Sequence, residues 1–457
     1  MTGSTDATLT LSIINRIKWI SLIFIFAGVP LIVNPTAYDY WYKPKIDSIY
    51  ALIIIIFIAV FFEKIIFKKT FRFRKTCLFI PLCFYSFSIL VSTFLSVSPE
   101  LSLKGDFLRY ESIFTLLSYV LMLFIFSNFV AREEEFYFLI KALLFSTFFI
   151  SLYGIIQYAG FNPTEHFISS FRPSEHRVGS TIGNPNFLGK FLVLVLPFYI
   201  ACFFKAKSWL EKIFMLTGFI FSFLALVFTF TRGSWIGFGV SMILLFFIMP
   251  VKKGVSQKYK KAVIVIVVMC IAVMSAGLYF ADDSAENKES FFPKMKFKFS
   301  SSFDLENGMG VATRLFVWKK VVGIIKERPI FGYGPDTHVK VMRSFNLEYS
   351  RKFNNYVVID RAHNNYLDIA VGQGLFGLGA YLSIIVTFMA WLWKTIKMER
   401  ERSLKILLCC IFSAFFGYLI NDLFIFSVVS VSPTFWALMG LCLTVKKFQG
   451  QQSESSA

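Results

Sequence analysis

His363 opens the stretch 362–382 (AHNNYLDIAVGQGLFGLGAYL). Histidine is the side chain whose ordinary pKa lies nearest neutrality, so it is the natural acceptor for the proton of an attacking hydroxyl. Asn364 and Asn365 can cap a helix behind it, and Gly372, Gly374, Gly377 and Gly379 permit a break and close packing. Arg232 lies in 231–237 (TRGSWIG), pinched between two apolar blocks with no acid near it in sequence. An arginine at a membrane edge is costly unless it is paired or meets water or an anion, and its planar fork of donors suits phosphate. The competing reading of Arg232 is a side chain that snorkels to the headgroups. Arg314 begins an amphipathic stretch, and Arg177 precedes the Gly/Asn/Pro turn 179–189 (GSTIGNPNFLG). The chemistry these types offer is a grip on phosphate and removal of a hydroxyl proton. The remaining histidines, His166, His176 and His338, read individually as solvated loop residues.

The elements that must position these groups are set by the solvent. Of 457 residues, 56% are hydrophobic, 19% aromatic and only 16% charged, against roughly a quarter charged in a soluble domain. The apolar residues gather into blocks of about 18 to 23, the length that crosses ~30 Å of hydrocarbon as a helix. Blocks fall near 13–33, 48–67, 77–96, 110–131, 136–158, 187–204, 209–230, 233–250, 262–281, 373–393, 404–420 and 423–444. This predicts an all-α polytopic membrane protein of about twelve transmembrane helices. With the N-terminus in the cytoplasm, the connections 64–75, 251–261 and 394–405 are strongly basic, so the positive-inside bias orients the chain with both termini cytoplasmic. The run Glu133, Glu134 and Glu135 is the one contrary vote. The first apolar block has no small-residue cleavage site and is long enough to remain a span.

That topology puts two long connections on the non-cytoplasmic side. One, 159–186, holds Glu165, His166, Arg172, Glu175, His176 and Arg177. The other, 282–362, is a large extracytoplasmic loop far longer than ordinary connections. Within it, 313–326 (TRLFVWKKVVGIIK) places Leu315, Trp318, Val322 and Ile325 at helical spacing, which predicts an amphipathic helix lying on the membrane or roofing a cavity. The stretch 288–298, rich in Lys and Phe, reads as a loop hugging the headgroups. The division is thus nine transmembrane helices in 1–281, the loop 282–362, three more helices in 363–445, and a cytoplasmic tail, 446–457.

Several function classes recede. The net charge of +19 sits in short connections between apolar blocks, so it records topology and not a nucleic-acid groove. Cys77, Cys83, Cys202, Cys270, Cys409, Cys410 and Cys442 lie in or beside apolar blocks without metal-ligand spacing. There is no phosphate-binding GxxxxGK[ST] loop, no HExxH, and no plausible DxD-type two-carboxylate metal site apart from Asp282 and Asp283. This favours chemistry with no metal and no cofactor. The span interiors show no string of ionisable residues, which weakens a proton-coupled transporter.

The motifs TRGSWIG at 231–237, ATRLFVWKK at 312–320, PIFGYGP at 329–335 and, above all, HNNYLDIAVGQGLFG at 363–377 resemble the O-antigen ligase and O-antigen polymerase superfamily of bacterial envelope glycosyltransferases. The likeness runs through essentially the whole chain, including the long connection before the last three spans. It implies a GT-C-like helical fold whose long extracytoplasmic loop carries short amphipathic helices, placed in the bacterial cytoplasmic membrane. It also implies transfer of a glycan from undecaprenyl pyrophosphate to an acceptor hydroxyl at the outer face, without metal and with inversion. By that resemblance Arg232 and Arg314 grip the donor pyrophosphate, with Arg177 the next candidate, and His363 activates the acceptor hydroxyl. The partners implied are that donor, a glycan, lipid or protein acceptor, and the bilayer. Relatives often carry Glu where this chain has Gln373, so the acceptor side here falls to Gln373, Asp368 and Asn364. A flippase of the same lipid-linked glycan, using the arginines for passage, is the reading from another class.

Overall fold

The computed structural model describes residues 2–67, 75–107, 109–161, 177–249, 311–353 and 358–445. Every regular element among the described residues is helical, as a chain embedded in hydrocarbon requires, because lipid offers no partner for an open backbone group. Seven helical stretches are long and apolar enough to cross a membrane: Leu9–Leu31, Lys43–Phe67, Glu133–Tyr158, Pro185–Lys205, Trp209–Phe228, Asn365–Met398 and Arg402–Asn421. Three shorter apolar helices, Phe79–Phe94, Ile113–Phe129 and Arg232–Ile248, accompany them. The protein is a polytopic helical membrane protein.

The helices are α1 (Thr2–Ile23), α2 (Lys43–Phe61), α3 (Phe79–Phe94), α4 (Pro99–Lys104), α5 (Ile113–Phe129), α6 (Glu133–Tyr158), α7 (Pro185–Lys205), α8 (Trp209–Phe228), α9 (Arg232–Ile248), α10 (Val311–Glu327), α11 (His338–Met342), α12 (Asn346–Phe353), α13 (Asn365–Met398), α14 (Arg402–Asn421) and α15 (Ser432–Cys442). Their starts follow from capping. Ser112, Asn184, Ser208 and Asn364 each accept a hydrogen bond from a backbone N–H of the first turn. The centre of the bundle is α7, buried around nearly its whole circumference between α8, α9 and α14. Around it α6 packs on α8, α3 on α13 and α5 on α15.

A few ionisable residues lie within the spans, each held by its own partner and not as a string. Lys18 pairs with Glu63, and Lys190 of α7 pairs with Asp422 at the end of α14, the latter pair fully buried. Lys45 donates to the carbonyls of Ile32, Trp41 and Thr181, so one ammonium closes three backbone segments at once. The members of each ion pair, and Lys45 and Thr181, lie far apart in the sequence, and only folding brings them together.

Two predicted elements need revision. The block 423–444 is helical only over Ser432–Cys442, with Pro433 in its first turn, while 423–431 is irregular. Ser427 and Ser432 hydroxyls satisfy one another and the Val428 N–H there, which gives the backbone an alternative to helix. The block 262–281 lies outside the described residues, as do His166, His176, Asp282, Asp283 and 288–298. In α10 the buried residues are Val317, Val321, Ile324 and Ile325, whereas Leu315 and Val322 face outward. Of the predicted stripe, Ile325 is buried and Trp318 half-buried, so the packed face is the predicted one turned part of the way around the helix.

The glycine-rich stretch does break α13. Gly374 adopts φ +71°, and the PIFGYGP segment seats in the gap. Leu375 and Phe376 donate to the carbonyls of Pro329 and Ile330, while Tyr333 and Gly334 donate to those of Val371 and Gly372. A Cβ on Gly374 would lie 2.1 Å from the Ile330 oxygen. Gly374→Ala is therefore expected to destabilise the protein by on the order of 2–4 kcal/mol. Gly379→Ala, where a Cβ meets nothing within 4 Å, is the neutral control. Thermal unfolding in detergent distinguishes the two.

Candidate active site

Three arginines far apart in sequence converge on one cavity of about 190 Å³. Arg177 is held from behind: its Nε donates to the Thr229 carbonyl at 2.9 Å, and one terminal nitrogen reaches Asn186 Oδ1 at 2.9 Å and Thr231 Oγ1 at 3.1 Å. Arg232 occupies the first turn of α9, and Arg314 projects from α10 with its guanidinium 5.9 Å from the Phe424 ring. Among the described residues, no carboxylate lines this cavity. A guanidinium at a helix N-terminus already faces the positive end of the backbone dipole. Desolvation and then the Arg232 charge depress the Arg314 pKa further. Such a concentration of positive charge is stabilised by an anion filling the space.

His363 sits on the segment that leads into α13, in the left-handed region at φ +51°. Its ring centroid is 5.3 Å from that of Phe426, and the residue keeps an exposed surface. Desolvation by its crowded surroundings, then the Arg314 charge, takes the imidazole pKa down to about 4, so it is neutral at physiological pH. Both flanks are tied down. The Ala362 N–H donates to Asp368 Oδ1 at 2.8 Å, and Trp318 Nε1 donates to the Ala362 carbonyl at 2.9 Å. Asn364 uses its side-chain oxygen to cap α13. Asn365 donates to Asp422 Oδ2 at 3.1 Å and accepts from the Ser427 N–H at 3.2 Å, while Lys190 donates to the Phe426 carbonyl at 3.0 Å.

A second, smaller cavity of about 50 Å³ lies beyond Phe426. It is lined by Glu111, Asp336, His338, Arg361, Asp368 and Gln373 together with tyrosine and tryptophan rings. Gln373 accepts from Ser88 at 3.0 Å and reaches the Tyr85 hydroxyl at 3.5 Å, so its amide is held by α3. His338 is buried, and its Nε2 lies 2.8 Å from the Asp368 carbonyl, which makes it an interior residue and not a solvated one. The irregular segment after α14 divides the cavities: Asn421, Phe424 and Ile425 line the first, Phe426 and Ser427 the second.

Of the sequence candidates, Arg177, Arg232 and Arg314 share the first cavity. His363 stands close enough to Arg314 to feel its charge. Asp368 and Gln373 face the second cavity instead. Sequence reasoning missed Lys190, Glu111, Asp336, Arg361 and Asp422. The available signal was a charge at the edge or inside of an apolar block, which for Glu111 and Asp422 is visible in retrospect.

The comparison with known families bears on the stretch that holds most of these groups. Residues 217–382 match the family model described as O-Antigen ligase. This O-antigen ligase region includes Arg232, Arg314, His363, Asp368 and Gln373, and leaves Arg177 and Asp422 on either side. It supports glycan transfer of the O-antigen ligase or polymerase kind in general. The chain is also similar to an uncharacterized protein of Haemophilus influenzae, 25% identical over 187 residues, or 40% of this chain. That match spans 44% of the relative's length.

Proposed function

We propose that this protein transfers a glycan from undecaprenyl pyrophosphate to an acceptor hydroxyl at the outer face of the bacterial cytoplasmic membrane. The observation that carries the reading is the acid-free cavity of three arginines beside a neutral histidine. In this mechanism the donor pyrophosphate occupies the arginine cavity. The acceptor O–H gives its proton to an imidazole nitrogen of His363 as its oxygen forms a bond to the anomeric carbon. The bond from that carbon to the pyrophosphate oxygen breaks, the electron pair leaves with the phosphate, and the guanidinium groups meet the charge that develops. Direct displacement inverts the anomeric centre. Asp368 and Gln373 then belong to the acceptor side, with Asn364 reduced to holding the helix start. The basic connections of the sequence orient the site outward, with the termini inside, about twelve crossings in all and 282–362 as the outer loop.

The acid limb carries a definite sign. His363 must be neutral to accept a proton, so activity is present above its pKa and lost below it. The kcat/KM profile, which reports the free enzyme, is expected to stay level through neutral pH and to fall only near pH 4. An inflection at the ordinary histidine value would contradict the assignment. Filling the arginine cavity with pyrophosphate cancels part of the charge that depresses this imidazole, so the inflection in kcat is expected at higher pH than that in kcat/KM.

The decisive assay uses the purified full chain in detergent, supplied with lipid-linked glycan and envelope acceptor extracted from a strain lacking the protein. A transferase forms the glycan conjugate, detected by mass spectrometry, with no membrane to cross. A flippase forms none. The mass of the conjugate identifies the acceptor.

A further inference from the structure

The backbone strain in this protein is not scattered. Among the described residues, the non-glycine residues with positive φ are Tyr110, Ser180, Phe230, Asp336 and His363. Three of these five converge on one carboxylate. Asp336, itself at φ +59°, accepts from the Asp106 N–H at 2.6 Å and the Glu111 N–H at 2.9 Å through Oδ2, bracketing Tyr110 at φ +54°. Its Oδ1 pairs with the Arg361 guanidinium, two residues before His363 at φ +51°. Asp336 and Arg361 are each 2% exposed. The carboxylates around Arg361, Asp336 foremost, outweigh desolvation and hold its pKa above the ordinary value.

A non-glycine residue held in the left-handed region is strained and persists only where its surroundings over-determine it. Asp336 holds one such position, and its buried carboxylate is tied to Asp106 and Glu111 on either side of the second and to Arg361, two residues before the third. The segment 105–111 adds a second tie to the same place, because Arg109 Nε donates to Asp360 Oδ2 at 2.7 Å. Gly105, at φ +85°, has no room for a side chain, since a Cβ would sit 2.6 Å from Tyr110 Cα and 3.2 Å from Asp336 Oδ2. Nothing in this network touches the arginine cavity.

We infer that Asp336 is a positioning residue, whose pair with Arg361 fixes the left-handed conformation of His363 and so sets where its imidazole stands. The inference rests on His363 being the proton acceptor of the proposed transfer. It assigns Asp336 no contact with donor or acceptor. Misplacing a reacting group by about 1 Å costs on the order of a hundredfold in rate.

The test is Asp336→Asn in the full-length protein, whose amide has one acceptor oxygen to do the work of two. The expected result is a 10- to 100-fold fall in kcat in the detergent assay, with the affinity for farnesyl pyrophosphate, a probe of the arginine cavity, unchanged. In a His363→Gly background the same substitution is expected to leave the residual rate unchanged, because the group it positions is gone. Full kcat in Asp336→Asn, a parallel loss of farnesyl pyrophosphate affinity, or a further loss in the His363→Gly background would each overturn the assignment. If Asp336→Asn fails to insert, Arg361→Lys attacks the same pair and is judged by the same measurements. A fully active His363→Gly protein would instead refute the transfer mechanism itself, whatever Asp336 does.

Discussion

Arg314→Ala is expected to lower glycan transfer by about a thousandfold while leaving membrane insertion intact. A single preorganised donor at a developing anion contributes on the order of a hundred- to a thousandfold in rate, and arginines serving phosphoryl groups reach beyond that. Arg314 stands in a cavity that it shares with Arg177 and Arg232, and its loss removes one of the three charges that meet the leaving group. Arg314→Lys keeps the charge but loses the planar fork, and an intermediate rate is expected. The substitution also reports on His363. Removing a positive charge makes the imidazole easier to protonate, so the acid limb of kcat/KM should move upward from about 4 in Arg314→Gln. Full transfer by Arg314→Ala, measured on membranes with matched protein content, would remove the basis for the pyrophosphate site.

The second large effect is expected at His363, and the backbone selects the informative substitution. At φ +51° alanine is strained whereas glycine is not, so His363→Gly removes the imidazole without adding a backbone penalty. Its unfolding temperature should equal or exceed that of the parent protein. Transfer should fall by a factor of about 10² to 10⁴, the usual contribution of a positioned base. Added imidazole should restore part of the rate, because the residue has an open surface. A stable His363→Gly protein that transfers at the parent rate is the outcome that defeats the mechanism.

The apolar blocks made the helical membrane architecture legible, because hydrocarbon forces long uninterrupted runs and leaves few other readings. The break in α13 was legible too, since Gly372 and Gly374 stand in a run that is otherwise helical. What escaped was set by contacts distant in sequence. The irregular stretch after Asn421 is as apolar as a span, and only its serines, Asp422 and Pro433 distinguish it. The packed face of α10 was only half legible, because Val317, Val321 and Ile324 lie beside the predicted stripe and can share its place. The arginines were legible as isolated charges, and the structure adds that they share one space. Asp336 was not legible: its role lies in three partners on segments more than twenty residues away, which no local pattern encodes.

The irregular segment between the two cavities has an electrical meaning. Because it is not helical, successive residues do not sweep around an axis, and one thin wall can present Phe424 and Ile425 to three guanidiniums and Phe426 to a chamber holding three carboxylates and one guanidinium. The wall is mostly hydrocarbon side chain, a poor conductor of polarisation. His363 rests at its edge against Phe426. Glycan transfer separates charge, sending an electron pair to phosphate and a proton to imidazole. In the proposed site the electron pair moves with the field of the arginines, whereas the proton reaches an imidazole whose protonation the Arg314 charge disfavours, so a pyrophosphate filling the arginine cavity eases both displacements at once.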